Sequence, residues 1–86
     1  MDLHKDTLDK LNAMAGQGVR LSVIARDSGI NYRWIERYRR GIIQSPSVHS
    51  VQRLYDWLVF NNQPKRIDEL RELSKGKGNN LARTAV

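Results

Sequence analysis

The 86-residue sequence predicts an all-α protein, a compact domain of four to five short helices. Apolar residues recur at intervals of three and four along most of the chain, which is the spacing that lines one face of a helix. The alternation of apolar and polar residues that marks a strand persists nowhere. Residues that cap or end helices separate the apolar segments. A chain of this length holds one domain, because two separate cores would each be too small to be stable.

The first two helices are predicted from their apolar spacing and from the residues at their ends. The first helix should begin at Asp6 or Thr7, whose side chains can cap it, and end at Gly16 or Gly18. Its apolar face is formed by Leu8, Leu11, Met14 and Ala15. The second helix is short and spans 21–28, and its predicted buried residues are Leu21, Ile24 and Ala25.

The third helix follows the second after a tight turn. Gly29 stands where a left-handed residue closes a helix, and Ile30 follows where an apolar contact accompanies that closure. Asn31 can cap the next helix by accepting from the free amides of its first turn. The third helix is predicted over 32–40, with Gly41 as its end.

The fourth and fifth helices are predicted after a loop that contains Pro46. Ser47 opens the fourth helix, whose apolar positions are Val48, Val51, Leu54, Tyr55 and Leu58. A last short helix carries Ile67, Leu70 and Leu73 at intervals of three. From Ser74 the chain is polar and rich in Gly and Asn, so residues 1–74 are predicted to form the domain and 75–86 a disordered basic tail.

The positive charge is concentrated in one part of the chain. The formal net charge is +6, and ten of the fifteen basic residues are Arg. Residues 20–41 carry +4, from six Arg against one Asp and one Glu. Because the planar guanidinium matches phosphate and the edge of guanine, this concentration points to nucleic acid. Charge alone leaves an anionic membrane surface or an acidic protein partner open.

The segment LSVIARDSGINYRWIERYRR, residues 21–40, carries the strongest functional signal. Two helices that meet at a steep angle need a small residue at their approach, a turn residue free to adopt positive φ, and an apolar anchor on the second helix. Ala25, Gly29 and Ile35 supply these in that order. With the Pro46-Ser47 start of the next helix, the pattern resembles the helix-turn-helix of phage-repressor and Cro-like (lambda-repressor-like) regulators. The resemblance covers about residues 5–60 and implies a compact DNA-binding domain.

One face of the third helix is predicted to read bases. Its residues are Tyr32, Arg33, Glu36, Arg37 and Arg40, while Ile35 and Tyr38 point to the core. Arg can bind guanine O6 and N7 with two hydrogen bonds, and Glu can accept from cytosine N4. The first four residues of this face are the predicted base contacts. The alternative is a solvated face on which Glu36 pairs with Arg33 or Arg40.

Contacts to the DNA backbone are predicted around that face, from Arg20, Arg26, Asn31 and Arg40. Arg26 could equally be solvated. A homodimer is expected, because one short helix contacts too few base pairs for specificity. Its interface is predicted after the fourth helix, at Trp57, Phe60 or the stripe of Ile67, Leu70 and Leu73.

No cofactor, metal or small-molecule ligand is predicted, and no enzymatic activity. The chain has no Cys, and His4 and His49 lie in different elements, so no metal-ligand spacing occurs. No apolar run approaches the length of a membrane span, and a cytoplasmic, nucleoid-associated protein is expected.

The resemblance implies that the protein is a small transcriptional repressor of phage or bacterial type. Two alternatives remain open. One is an antitoxin or a phage packaging or excision factor with the same DNA-binding unit. The other is a helical interaction module that binds an acidic partner.

Overall fold

The computed structural model describes residues 2–75, and these form five helices with no strand among them. The helices are α1 (Leu3–Gly16), α2 (Leu21–Ser28), α3 (Tyr32–Arg39), α4 (Val48–Asn61) and α5 (Pro64–Lys75). The all-α prediction is confirmed, as are the bounds predicted for the second helix. The third helix ends one residue earlier than predicted, because Arg40 is its C-cap.

One hydrophobic core joins the five helices. Each helix contributes a fully buried aliphatic side chain: Leu11, Ile24, Ile35, Leu54 and Leu70. Burying one such side chain contributes about 1.5–3 kcal/mol relative to leaving it in water. The most extensive packing is between α1 and α4, which run in the same direction, since their starts line one groove and their ends another.

The start of α1 differs from the prediction. The helix begins at Leu3, and the carboxylate of Asp2 accepts a hydrogen bond from the Lys5 amide at 3.1 Å. The predicted caps lie inside the helix, where the Thr7 hydroxyl is buried and donates to the Leu3 carbonyl at 2.6 Å. Leu3 packs against the core, and the helix therefore begins about one turn before Asp6.

The second and third helices and the turn between them form what we term the α2–turn–α3 unit, residues 21–39. Gly29 adopts φ +75°, and its amide donates to the Ala25 carbonyl at 3.0 Å. A side chain at this φ would be strained, so the predicted need for glycine is confirmed. Ile30 is buried beyond the turn, and the Asn31 side chain accepts from the Trp34 amide at 3.1 Å. The predicted cap of the third helix is therefore confirmed.

The last helix corrects two predictions. Ile67 and Leu70 are buried in the core of their own chain, so the prediction that they offer an interface to a second copy is wrong. Leu73 alone of that stripe stays exposed, at 59%. Lys75 was predicted to begin the tail, but it is the last residue of α5. Just before it, the Ser74 hydroxyl accepts from the Arg20 amide at 2.8 Å and donates to the Leu70 carbonyl.

The helix continues to Lys75, and the rest of the predicted tail, 76–86, lies outside the described residues. Within residues 2–75, no helix has the length and apolar character needed to cross a membrane.

Candidate nucleic-acid interface

The exposed face of α3 brings together the residues predicted to read bases. Opposite Ile35 and Tyr38, which are buried, lie Tyr32, Arg33, Glu36, Arg37 and Arg40. Tyr32 is 46% exposed and the three Arg are exposed, whereas Glu36 is half-buried. The helix therefore presents a polar, Arg-rich face to solvent and holds its place with an apolar one.

Several contacts fix the orientation of α3 against α1. The Tyr38 hydroxyl lies 3.0 Å from His4 Nδ1 and 3.2 Å from the His4 carbonyl. The indole of Trp34 stacks on the Tyr38 ring, with 4.8 Å between ring centroids. On the other side of the helix, Arg39 Nε donates to the Asn12 side chain at 2.7 Å. Arg39 is thereby kept off the exposed face, while Arg33 and Arg37 remain on it.

The arginines of the α2–turn–α3 unit differ from the basic residues of α5 in their pairing. Among residues 2–75, no carboxylate oxygen lies within 4.0 Å of the side-chain nitrogens of Arg26, Arg33 or Arg37. In α5, by contrast, acidic residues three positions away pair with Arg71 and Lys75. Arg26, Arg33 and Arg37 therefore give the α2–turn–α3 unit positive charge that no carboxylate within residues 2–75 offsets by a direct ion pair.

Arg40 is the exception on the exposed face. Its Nη1 lies 3.9 Å from a carboxylate oxygen of Glu36; the Arg40 side chain is 64% exposed and the Glu36 side chain 40%. The alternative prediction, a solvated face on which Glu36 pairs with a neighbouring Arg, therefore holds for Arg40. It does not hold for Arg33. An exposed pair at this spacing contributes little free energy, so either partner can exchange it for a contact with a ligand.

An open groove of about 780 Å³ runs along one side of α3. Arg33, Trp34 and Arg37 line its helix wall, and residues 42–44 of the loop before α4 form the opposite wall. Guanidinium groups, an indole and aliphatic side chains thus face one space. Such a groove can accept hydrogen-bond acceptors and apolar groups of the same ligand.

The residues predicted to contact the DNA backbone are more scattered. Asn31 and Arg40 lie at the two ends of α3, and Arg26 is exposed in the last turn of α2. Arg20 precedes α2 and supplies no side-chain cap to it. In the described part of the chain, no hydrogen bond or ion pair joins the Arg20 or Arg26 side chain to α3. Arg26 is at the surface of the α2–turn–α3 unit, and Arg20 is at the surface immediately before it.

The sequence did not reveal a polar network that joins α2 to α4 and α5. The Asp27 carboxylate accepts from Trp57 Nε1 at 2.8 Å and from Arg66 Nη2 at 2.7 Å. Arg66 Nε also donates to the buried side chain of Asn61 at 2.6 Å. These residues are far apart in sequence and belong to no motif, so only the tertiary structure could bring them together. The network holds the last turn of α2 in place ahead of the turn to α3.

The network and the core shift three pKa values. The indole hydrogen bond of Trp57, together with the Arg66 guanidinium, holds the pKa of Asp27 below its ordinary value against partial desolvation. The hydrogen bond to Asp27 raises the pKa of Arg66. Burial raises the pKa of the Tyr38 hydroxyl, because the phenolate would lose its hydration. All three groups stay in their ordinary ionisation state near neutral pH.

The two aromatic residues near the end of α4 have different environments. Trp57 is half-buried and bound to Asp27, which agrees with a structural role. Phe60, in the next turn, is 76% exposed and is the most exposed large apolar residue of the part that the structure describes. Of the residues predicted to form a dimer interface, Phe60 and Leu73 are the two that remain largely accessible.

Among residues 2–75, no three His, Cys, Asp or Glu side chains lie close enough together to hold a metal ion.

Comparisons of the chain with protein-family models, with curated proteins and with solved structures found no match.

Proposed function

We propose that this chain binds duplex DNA sequence-specifically and acts as a small transcriptional repressor of phage or bacterial type. In this proposal the α2–turn–α3 unit is a helix-turn-helix of the lambda-repressor-like kind, and α3 lies in the major groove. The observation that carries the proposal is the exposed face of α3, where Arg33 and Arg37 lie one turn apart and meet no carboxylate from residues 2–75.

The chemistry of that face suits the edges of base pairs. The major groove of B-DNA is about 12 Å wide and admits one helix. Arg33 and Arg37 could each bind O6 and N7 of a guanine, and Glu36 could accept from the amino group of a cytosine. On α5, by contrast, the exposed guanidinium of Arg71 is paired with Asp68.

Phosphate contacts would position the helix. Arg40 at the end of α3 and Arg26 on α2 flank the base-reading face, and Arg20 stands at the start of the unit. Asn31 caps the first turn of α3 by accepting from the Trp34 amide, and amides of that turn without an intrahelical partner could bind a phosphate. Such contacts fix the register of the protein on DNA without reading sequence.

A homodimer completes the proposal. A helix of eight residues is about 12 Å long and can contact only a few base pairs. Two copies related by a two-fold axis would read half-sites about 34 Å apart, or one helical turn. Of the residues predicted to form the dimer interface, Phe60 and Leu73 are exposed and could contact a second copy.

Selection from a random duplex pool, followed by a salt titration on the selected sequence, tests the proposal. We expect an enriched inverted repeat and a log–log salt slope of roughly −0.9 for each phosphate neutralised. Arg33→Ala combined with Arg37→Ala should abolish the enrichment. Arg71→Ala is the control, because it removes a guanidinium that is 50% exposed and already paired in α5.

A salt slope near zero with no enriched sequence would contradict the proposal. In that case, the unpaired guanidiniums would fit the interaction module that binds an acidic protein. Enrichment without repression in a reporter assay would keep the DNA site and favour an antitoxin or a packaging or excision factor.

A further inference from the structure

Ile42 is an exposed apolar residue that the backbone holds firmly at the end of α3. Its amide donates to the Arg37 carbonyl at 3.1 Å, and the amide of Gly41 donates to the Tyr38 carbonyl at 3.1 Å. Gly41 adopts φ +74°, the left-handed conformation that this pair of hydrogen bonds requires. The position of Ile42 is therefore tied to that of Arg37.

The end of α1 shows what an apolar residue at this place ordinarily does. There the amide of Val19 donates to the Met14 carbonyl at 3.4 Å, in the same closure. Val19 and Met14 are both buried, at 2% and 3% exposed, as expected from the apolar contact that usually accompanies this closure. In α3 the residue corresponding to Met14 is Arg37, and Ile42 remains 45% exposed. Packing within the chain does not account for this side chain.

Ile42 instead faces the groove beside α3. It lines that groove together with Arg33 and Arg37, and the half-buried indole of Trp34 contributes to the lining. The groove thus pairs two guanidiniums with an aliphatic side chain held at a fixed place. A ligand for it needs hydrogen-bond acceptors next to a small apolar group.

We propose that Ile42 contacts the 5-methyl group of a thymine next to a guanine that Arg33 or Arg37 binds. The thymine methyl is the apolar group that base pairs present in the major groove, and guanine presents two acceptors beside it. This inference rests on the proposed function and adds to it a base preference and a residue outside the helix. The backbone hydrogen bond from Ile42 to Arg37 sets the spacing between the two contacts.

Replacing single thymines of the selected site by uracil tests this directly, because uracil lacks only the methyl group. We expect one position per half-site at which uracil weakens binding about fourfold, the loss that corresponds to one buried methyl-sized group. Ile42→Ala should weaken binding to the thymine site by a similar factor and make the protein indifferent to uracil there. Val59→Ala is the control, since Val59 is equally exposed, at 47%, but lies on α4. It should keep the full effect of uracil.

Three results would overturn the inference. If uracil has no effect at any position of a site that is still bound specifically, no methyl group is read, and the proposed function stands. If uracil weakens the Ile42→Ala variant as much as the parent, another residue reads the methyl. If Ile42→Ala weakens all sequences equally, Ile42 contacts the sugar-phosphate backbone. Failure to bind any duplex would instead remove the proposed function itself, and this inference with it.

Discussion

Arg37 and Arg40 lie one turn apart on α3, yet their surroundings differ. Arg37 meets no carboxylate within the described part of the chain, and it is exposed and lines the groove beside the helix. Arg40 follows the last helical residue and lies 3.9 Å from Glu36. If α3 enters a major groove, a residue at its end is nearer to phosphate than to bases.

The first prediction separates these two residues. Arg37→Ala should cost about 1–3 kcal/mol on the selected site and relax the preference at one base pair per half-site, because a bidentate contact to guanine is lost. Arg40→Ala should weaken selected and random duplex alike and make the salt slope shallower by about one per subunit. Fluorescence anisotropy on both duplexes at several salt concentrations measures this. An equal loss on every sequence for Arg37→Ala would mean that α3 lies across the backbone.

Asp27 carries the second prediction, which concerns pH. Its pKa is lower in the folded chain than its ordinary value, so the ionised form stabilises the fold. That contribution is present above about pH 4, the ordinary pKa of Asp, and is lost as the pH falls through the lower folded value. The side chain is 35% exposed, so we expect a loss below about 1 kcal/mol. Urea unfolding between pH 2 and pH 6 should show a shallower acid dependence for Asp27→Asn than for the parent, and identical dependences would contradict the assignment.

Helix ends, more than helix interiors, decide how the elements of this fold connect. Three helices have a side-chain cap at their start. The side chains of Asp2, Asn31 and Ser47 each accept a hydrogen bond from an amide in the first turn of the helix that they precede. Turn residues at positive φ then direct the chain into the next segment. Helix α2 has only eight residues, too few to be stable alone, so it depends on its ends and on packing against α3.

The third prediction uses two glycine substitutions to test the role of the helix ends. Gly29→Ala should lower the free energy of unfolding by about 1–2 kcal/mol, because a side chain is strained at φ +75°. The added Cβ would meet Arg53 Nη2 at 3.5 Å, an ordinary contact, so the cost is one of backbone conformation. Gly16→Ala is the counterpart, since Gly16 is helical and an added Cβ meets nothing within 4 Å. It should raise stability by up to about 1 kcal/mol. Urea unfolding followed by circular dichroism measures both, and equal effects would show that the turn tolerates other conformations.

At the scale of the whole molecule, some apolar residues of α5 lie in the core and others at the surface. Leu70 is fully buried and serves the fold of its own chain, while Leu73, three residues on, is 59% exposed. Phe60 is exposed at the end of the preceding helix. Two large exposed apolar side chains in the last two helices are what a partner copy could cover.

The fourth prediction is that the protein dimerises through these residues. Phe60→Ser and Leu73→Ser together should shift the protein towards monomer in sedimentation equilibrium and weaken binding to the inverted repeat more than to a single half-site. Val48→Ser is the control, because Val48 is 74% exposed but lies at the opposite end of α4. The expected stability change is small, since neither exposed residue belongs to the core. One protein per duplex in light scattering of the parent complex would contradict the dimer.

Local chemistry made much of this architecture readable. The five helices, the left-handed turn at Gly29 and the cap at Asn31 follow from spacing and from residues whose side chains or backbones act within four positions. The face shared by Arg33 and Arg37 follows from the same helical period. The start of α1 was misplaced because Asp2, Asp6 and Thr7 can all act as caps, and only the packing of Leu3 selects among them.

By itself, the sequence determined the helical class, the α2–turn–α3 unit and which residues of α3 face outward, because each depends on interactions between near neighbours in the chain. Tertiary structure alone decided which charged side chains form ion pairs and which apolar residues of α5 are buried in the core. It also placed Asp27 against Trp57 and Arg66. It also decided that Ile42 stays exposed beside Arg37 while Val19 is buried at the equivalent end of α1. These outcomes depend on which surfaces meet across the core, and that is a property of distant segments that local periodicity does not encode.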